Sequence, residues 1–237
     1  MGKRRLIPLA MFVFLFVAAL SSFADPAEAQ SDQLQYVVVY VEFKPADAKA
    51  GGRVLYDLAS QALASVGVNR FDVLQQVDRP NFFALFEIWS SAQTFAAFQS
   101  SSATQAILTQ LAPLLGAPLD ERDGNLLAGT VNPRSRHDES RQIFVITHVD
   151  IDPQFVDQAR PLLDTFVSDS ASDPGAQTFA LLSQTPTTNH FQLVEAFAKQ
   201  KAFDAHVSAQ HTLDFRNGIQ PFIGAPYDER LYQFANR

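Results

Sequence analysis

Leu114-Leu115-Gly116-Ala117-Pro118-Leu119-Asp120-Glu121-Arg122 and Phe222-Ile223-Gly224-Ala225-Pro226-Tyr227-Asp228-Glu229-Arg230 carry the same pattern, G-A-P-x-D-E-R, 108 positions apart. The same offset holds going backwards. It pairs Pro45 with Pro153, Gly67 with Gly175, Phe71 with Phe179, Asn81 with Asn189, Glu87 with Glu195 and Phe95 with Phe203. Aligned without gaps, residues 36–129 and 144–237 share 24 identities in 94 positions. The chain is therefore a duplication. Its period is too long for a solenoid, whose units run to a few tens of residues, so each copy is read as a whole domain. The polar, Pro-containing stretch 132–141 lacks apolar periodicity and reads as a linker between domains at 31–131 and 142–237.

Within copy one, residues 36–43 (YVVVYVEF) are β-branched and aromatic and stop at Lys44-Pro45, which predicts a buried strand. Apolar residues at Val54, Leu55, Leu58, Ala62 and Leu63 predict a helix over 46–65, closed by Gly67. Residues 70–77 and 82–89 flank Asp78-Arg79-Pro80-Asn81, so they predict a hairpin. Ser91 is placed to cap a helix reaching about Ser100. A further helical stretch covers 103–115, and a strand covers about 120–130. Copy two predicts the same order. This βαββαβ order makes an α+β, ferredoxin-like (split βαβ) layer with helices on one face of an antiparallel sheet. The other face needs cover, and the sister copy supplies it. The expected fold is two such domains packed sheet to sheet as an intrachain dimeric α/β barrel, a pseudo-dimer within one chain that could associate further.

Residues 1–30 read as a signal peptide: Lys3, Arg4 and Arg5, then an uncharged run from Leu6 to Leu20, then small residues before cleavage at Ala24 or Ala29. The apolar run falls short of the roughly 20 residues of a membrane span, so the mature protein is expected to be exported, periplasmic or extracellular, with no stable membrane insertion. With no cysteine in the chain, disulfides, thiolate metal sites and thiol catalysis are excluded. The net charge is −7, and cleavage after Ala29 makes it −8. That balance argues against nucleic acid, whose phosphates require a basic face.

In copy two, Asp173-Pro174-Gly175, Phe179-Ala180-Leu181-Leu182, Phe191-Gln192-Leu193-Val194-Glu195-Ala196-Phe197 and His206-Val207-Ser208-Ala209-Gln210-His211 resemble the antibiotic biosynthesis monooxygenase family. Copy one keeps the frame, including Glu87 and Trp89, but has Phe98 and Ala103 where copy two has His206 and His211. The resemblance implies a dimeric α/β barrel and a quinol-type monooxygenase that uses O2 with no metal or flavin.

Four of five histidines (His148, His190, His206, His211) lie in copy two, opposite Tyr40, Phe82, Phe98 and Ala103. This suggests one working pocket walled by copy one. Oxidising an aromatic enol requires a general base, and imidazole suits it. His206, on the helix face of Phe203, is the first choice and His148 the second. Tyr40, Trp89, Phe197 and His211 are the candidate substrate contacts, and a small aromatic molecule is the expected partner. On a continuous helix His211 points about 140° away from His206, so the two share a site only if the helix breaks. Zinc-binding histidines on a helix usually sit four apart, so no metal is expected. Glu87 and Glu195 lie among apolar strand residues, where a carboxylate needs a partner or a raised pKa. Glu87–Arg122 and Glu195–Arg230 are the expected buried ion pairs. The rival reading is a non-catalytic exported barrel that binds a small apolar ligand or a protein partner.

Overall fold

The computed structural model describes residues 33–131 and 141–236. The expected signal peptide and residues 132–140 of the linker lie outside the described residues. Copy one runs β1 (Gln35–Glu42), α1 (Ala48–Leu63), β2 (Val68–Gln76), β3 (Phe82–Trp89), α2 (Ala92–Ser100), α3 (Ser102–Leu111) and β4 (Asp120–Thr130). Copy two repeats it as β5 (Ile143–Asp150), α4 (Val156–Ser170), β6 (Ala176–Gln184), β7 (His190–Phe197), α5 (Gln200–Val207), α6 (Gln210–Ile219) and β8 (Asp228–Phe234).

Local chemistry sets the element ends. Gly67 adopts φ +85°, and a Cβ there would meet Ser90 and Thr94 within 2.7 Å, so α1 can turn into β2 only through glycine. Ser91 caps α2 by accepting from the Thr94 amide, with the Thr94 side chain returning the bond to the Ser91 amide. The corresponding cap of α5 is Lys199, which makes no side-chain bond.

All eight strands close into one antiparallel barrel in the order β1-β3-β2-β8-β5-β7-β6-β4. Each copy contributes a four-stranded sheet, and the two join edge to edge through β2–β8 and β4–β6 as well as sharing an interior. Closure removes the unpaired edges that would otherwise invite association with other chains. Tyr36 pairs with Ile88, and Phe144 with Ala196, so the registers of the two sheets match at the 108-residue offset.

Strand parity then divides the core into three compartments. Val37, Val39, Leu85, Glu87 and Trp89 face the helices of copy one. Val145, Leu193, Glu195 and Phe197 face those of copy two. Tyr36, Val38, Phe86, Phe144, Ile146 and Tyr232 fill the barrel interior. Large side chains such as Trp89, Phe71, Phe179 and Tyr232 are fully buried, each stabilising the fold by roughly 1.5–3 kcal/mol. Among the described residues no helix is long and apolar enough to cross a membrane.

Candidate functional site

The residues singled out from sequence fall into all three compartments, not into one pocket. Tyr40 and His148 do face each other in the barrel interior, with ring centroids 5.6 Å apart. Around them, Arg122 is held by Asp120 (2.8 Å) and Arg230 by Asp228 (2.6 Å), and both guanidinium groups lie over the Tyr40 ring. A cleft of about 230 Å³ opens at this rim beside Tyr40, Asp120, Arg230 and Tyr232. Burial, then the Arg122 guanidinium 2.6 Å from its Nδ1, hold the His148 imidazole down at about 4. His148 is thus a neutral acceptor already engaged by an arginine, and a weak base. His190 stands apart at the rim, 3.5 Å from Asp150.

The expected pairs Glu87–Arg122 and Glu195–Arg230 do not form. β1 lies between β3 and β4, and its neighbouring residues Val37 and Val38 pair with Glu87 and Arg122 respectively. Successive strand residues face opposite ways, so Glu87 points to the helices and Arg122 into the barrel. The same holds for Glu195 against Val145 and Arg230 against Ile146. A buried ion pair does occur inside the barrel, Arg70–Asp72 at 2.6 Å, and it had no sequence signal beyond strand alternation.

In copy one, Glu87 sits at the head of an apolar cavity of about 60 Å³ between sheet and helices. Leu58, Leu85, Phe98, Leu108 and Leu111 wall it, and Gln99, Leu119 and Glu121 form its mouth. One carboxylate oxygen of Glu87 accepts from Nε1 of Trp89 at 2.8 Å. Burial pushes the Glu87 carboxyl up to about 8, with the Trp89 bond opposing and Glu121 and Asp123 adding like-charge repulsion. Trp89 itself is fully buried and packs at a tilt against Phe98, ring centroids 4.8 Å apart, so it positions Glu87 from within the core.

Copy two carries the same chamber, filled. Phe166, His206, Arg216 and Tyr227 stand where copy one has Leu58, Phe98, Leu108 and Leu119. Phe166 stacks on Phe215 at 4.1 Å and Arg216 pairs with Glu229 at 2.6 Å. Among the described residues, an outer cleft of about 270 Å³ bounded by Arg216, Tyr227 and Glu229 lies at the surface of this chamber. Behind it, His206 is buried among Phe166, Phe179 and Phe197. Its Nδ1 lies 2.7 Å from Asp173 and its Nε2 3.6 Å from Glu195. The helix does break between His206 and His211: α5 ends at Val207 and α6 starts at Gln210. His211 thereby turns back, and its Nε2 comes within 3.2 Å of the same Asp173 oxygen. Asp173, His206 and His211 are the group among the described residues whose ligating atoms, all within 4.8 Å of one another, could hold a metal ion. Asp173 was visible in sequence only as the start of the D-P-G turn.

A family model described as antibiotic biosynthesis monooxygenase matches residues 34–110 and again 142–218. Among solved structures, a protein of Fusobacterium nucleatum assigned provisionally as a monooxygenase superposes with a TM-score of 0.75 at 13% identity, covering 86% of this chain and 93% of that one. A similarly assigned protein of Lactobacillus acidophilus gives 0.68 at 11%, covering 84% and 93%. An anthrone oxidase-like protein gives 0.67 at 12%, covering 88% and 93%. At such identities these likenesses speak for the fold. No curated protein matches the chain.

Proposed function

The chain belongs to the antibiotic biosynthesis monooxygenase family, whose domain it carries twice in tandem, and on that premise we propose that it oxidises a neutral quinol or related aromatic enol with O2 in the chamber of copy one. The observation that carries this reading is the apolar cavity ending on a buried carboxylate, Glu87. A base works best with a pKa near the working pH, and burial brings Glu87 to about 8. In this reaction Glu87 takes the proton of the substrate hydroxyl. The electron-rich anion then reduces O2 and forms a carbon–oxygen bond. Loss of water leaves a new carbonyl, so one oxygen atom ends in product and one in water, with all four electrons supplied by the substrate. Following the family resemblance, neither metal nor flavin takes part. Glu121 and Asp123 near Glu87 favour a neutral over an anionic substrate. His206 is not given the base role because each of its ring nitrogens already faces a carboxylate in a filled chamber.

The cavity is smaller than the roughly 150 Å³ that holds a benzene ring, so an aromatic substrate enters by displacing Leu119, which is 38% exposed, and Gln99 at the mouth. The same small volume, with Phe98 in place of a histidine, favours the second reading, a non-catalytic module that binds a small apolar ligand. Oxygen uptake in the presence of a reduced quinone separates the two. Uptake that falls about 100-fold or more in Glu87→Gln, the scale of a lost general base, supports the oxygenase. Quinol binding without uptake supports the module.

Export is part of the proposal, supported by the charge, apolar and small-residue order of the first 30 positions. Protein recovered outside the cytoplasm should begin at Asp25 or Gln30. Recovery only from the cytosol with Met1 retained would contradict it.

A further inference from the structure

We propose that Asp173, His206 and His211 form a binding site for a first-row divalent transition metal, of which Zn²⁺ is the type, and that the metal staples three elements of copy two together. Asp173 lies in the turn between α4 and β6, His206 at the end of α5, and His211 in the first turn of α6. Two imidazoles and one carboxylate suit Zn²⁺ and its neighbours. Bonds of about 2.0–2.1 Å in a tetrahedral site separate ligand atoms by roughly 3.3 Å. The 3.2 Å between Asp173 Oδ2 and His211 Nε2 already matches. The 2.7 Å to His206 Nδ1 must open slightly, and the two imidazoles, with all three ligating atoms within 4.8 Å of one another, must draw together on binding.

Two further observations point to an occupant. The Nε2 atom of His211 is buried and makes no well-formed hydrogen bond, its near neighbour being the Asp173 oxygen at 3.2 Å. Behind His206, on its far nitrogen, Glu195 lies 3.6 Å away. A carboxylate on the second nitrogen of a ligating histidine is the usual means of orienting that ring toward a metal. Asp173 and His211 keep side-chain exposures of 17% and 22%, so the site lies close enough to solvent for an ion to enter.

The site belongs to copy two alone, since Ser65, Phe98 and Ala103 occupy the equivalent positions in copy one. The chain has no cysteine and hence no disulfide. A bound metal would cross-link the α4–β6 turn, α5 and α6 of copy two, because metal affinity for the folded state adds directly to its stability. This inference does not rest on the oxygenase reading, and its test involves no turnover.

Untagged full-length protein stripped with a chelator is titrated with Zn²⁺ by calorimetry and with Co²⁺ by visible absorption. The expected result is one ion per chain, Co²⁺ bands of a tetrahedral N/O site, and a rise in melting temperature. His211→Ala and Asp173→Asn should each weaken binding at least about 10-fold and abolish the melting shift. Both groups are partly exposed, so these variants should fold. His190→Ala, which alters a histidine–carboxylate pair elsewhere, should bind as the parent does. The proposal is overturned if the parent binds less than one equivalent, or if His211→Ala and Asp173→Asn bind as tightly as the parent.

Discussion

The chambers of the two halves begin from one frame and end as opposites. Each has a glutamate on the third strand of its sheet, Glu87 or Glu195, buried on the helix-facing side and pushed up to about 8 chiefly by burial. In copy one, leucines around that carboxylate leave an apolar space and tryptophan supplies a donor. In copy two, phenylalanine, arginine, tyrosine and histidine occupy the space, and the tryptophan position is Phe197, which has no N–H to give. One has an apolar cavity beside its glutamate, and the other a polar, charge-paired interior.

The largest expected effect breaks the comparison at its shared residue. Glu87 has a folded pKa of about 8 against an ordinary 4.5. The folded state therefore binds the extra proton between those values, and its stability falls as pH rises through that window. Glu87→Gln should remove this contribution. Relative to the parent, the variant should gain up to roughly 4 kcal/mol between pH 4 and pH 9, read from denaturant midpoints at each pH. By the same carboxylate, any oxygenase activity should rise with pH and level off above about 8, because a base acts in its ionised form.

A smaller effect of opposite sign sits in the barrel interior, where the halves differ as Tyr40 and His148. The His148 imidazole is held at about 4, below its ordinary value near 6.5. The folded state then binds fewer protons than the unfolded, and stability is lost as pH falls from 6.5 to 4. His148→Tyr makes the two halves alike and should flatten that acid limb by a few kcal/mol. The slope with pH, rather than absolute stability, is the readout.

Filling chamber one as chamber two is filled sharpens the comparison. Leu58→Phe with Leu119→Tyr should lower oxygen uptake or quinol binding on the order of 100-fold, the scale expected when a reactant is displaced from its working position. Overpacking should lower stability by roughly 1–3 kcal/mol. The least of the expected effects lies at the caps. Ser91→Ala should destabilise by about 1 kcal/mol, and Lys199→Ser, which gives α5 the cap that α2 already has, should stabilise by a similar amount in thermal melts.

Much of this architecture was legible in the chain. The G-A-P-x-D-E-R repeat announced two domains, and the βαββαβ order with its uncovered sheet face implied the barrel. The near-coincidence of predicted and observed ends, such as 82–89 for β3, reflects strong local punctuation by Ser91, Gly67 and the Pro-Asn turn. The break at Ser208–Ala209 was legible too, and with it the condition that lets His206 and His211 meet. The ion pairs failed for a different reason. Parity along one strand can be read from sequence, but whether Glu87 and Arg122 share a face depends on both registers with β1, which neither segment encodes alone. The open chamber was equally out of reach. It arises from the summed volume of Leu58, Leu108 and Leu119, which come from two helices and the loop before β4, against Phe166, Arg216 and Tyr227.

The most direct test sets the two halves against each other in one assay, oxygen uptake with a reduced quinone by Glu87→Gln and by His206→Phe. The latter gives copy two the residue that copy one carries. Uptake lost in Glu87→Gln and kept in His206→Phe is the predicted outcome. The reverse pattern, uptake surviving without the Glu87 charge and vanishing with the imidazole, would move the working chamber to copy two and contradict the account.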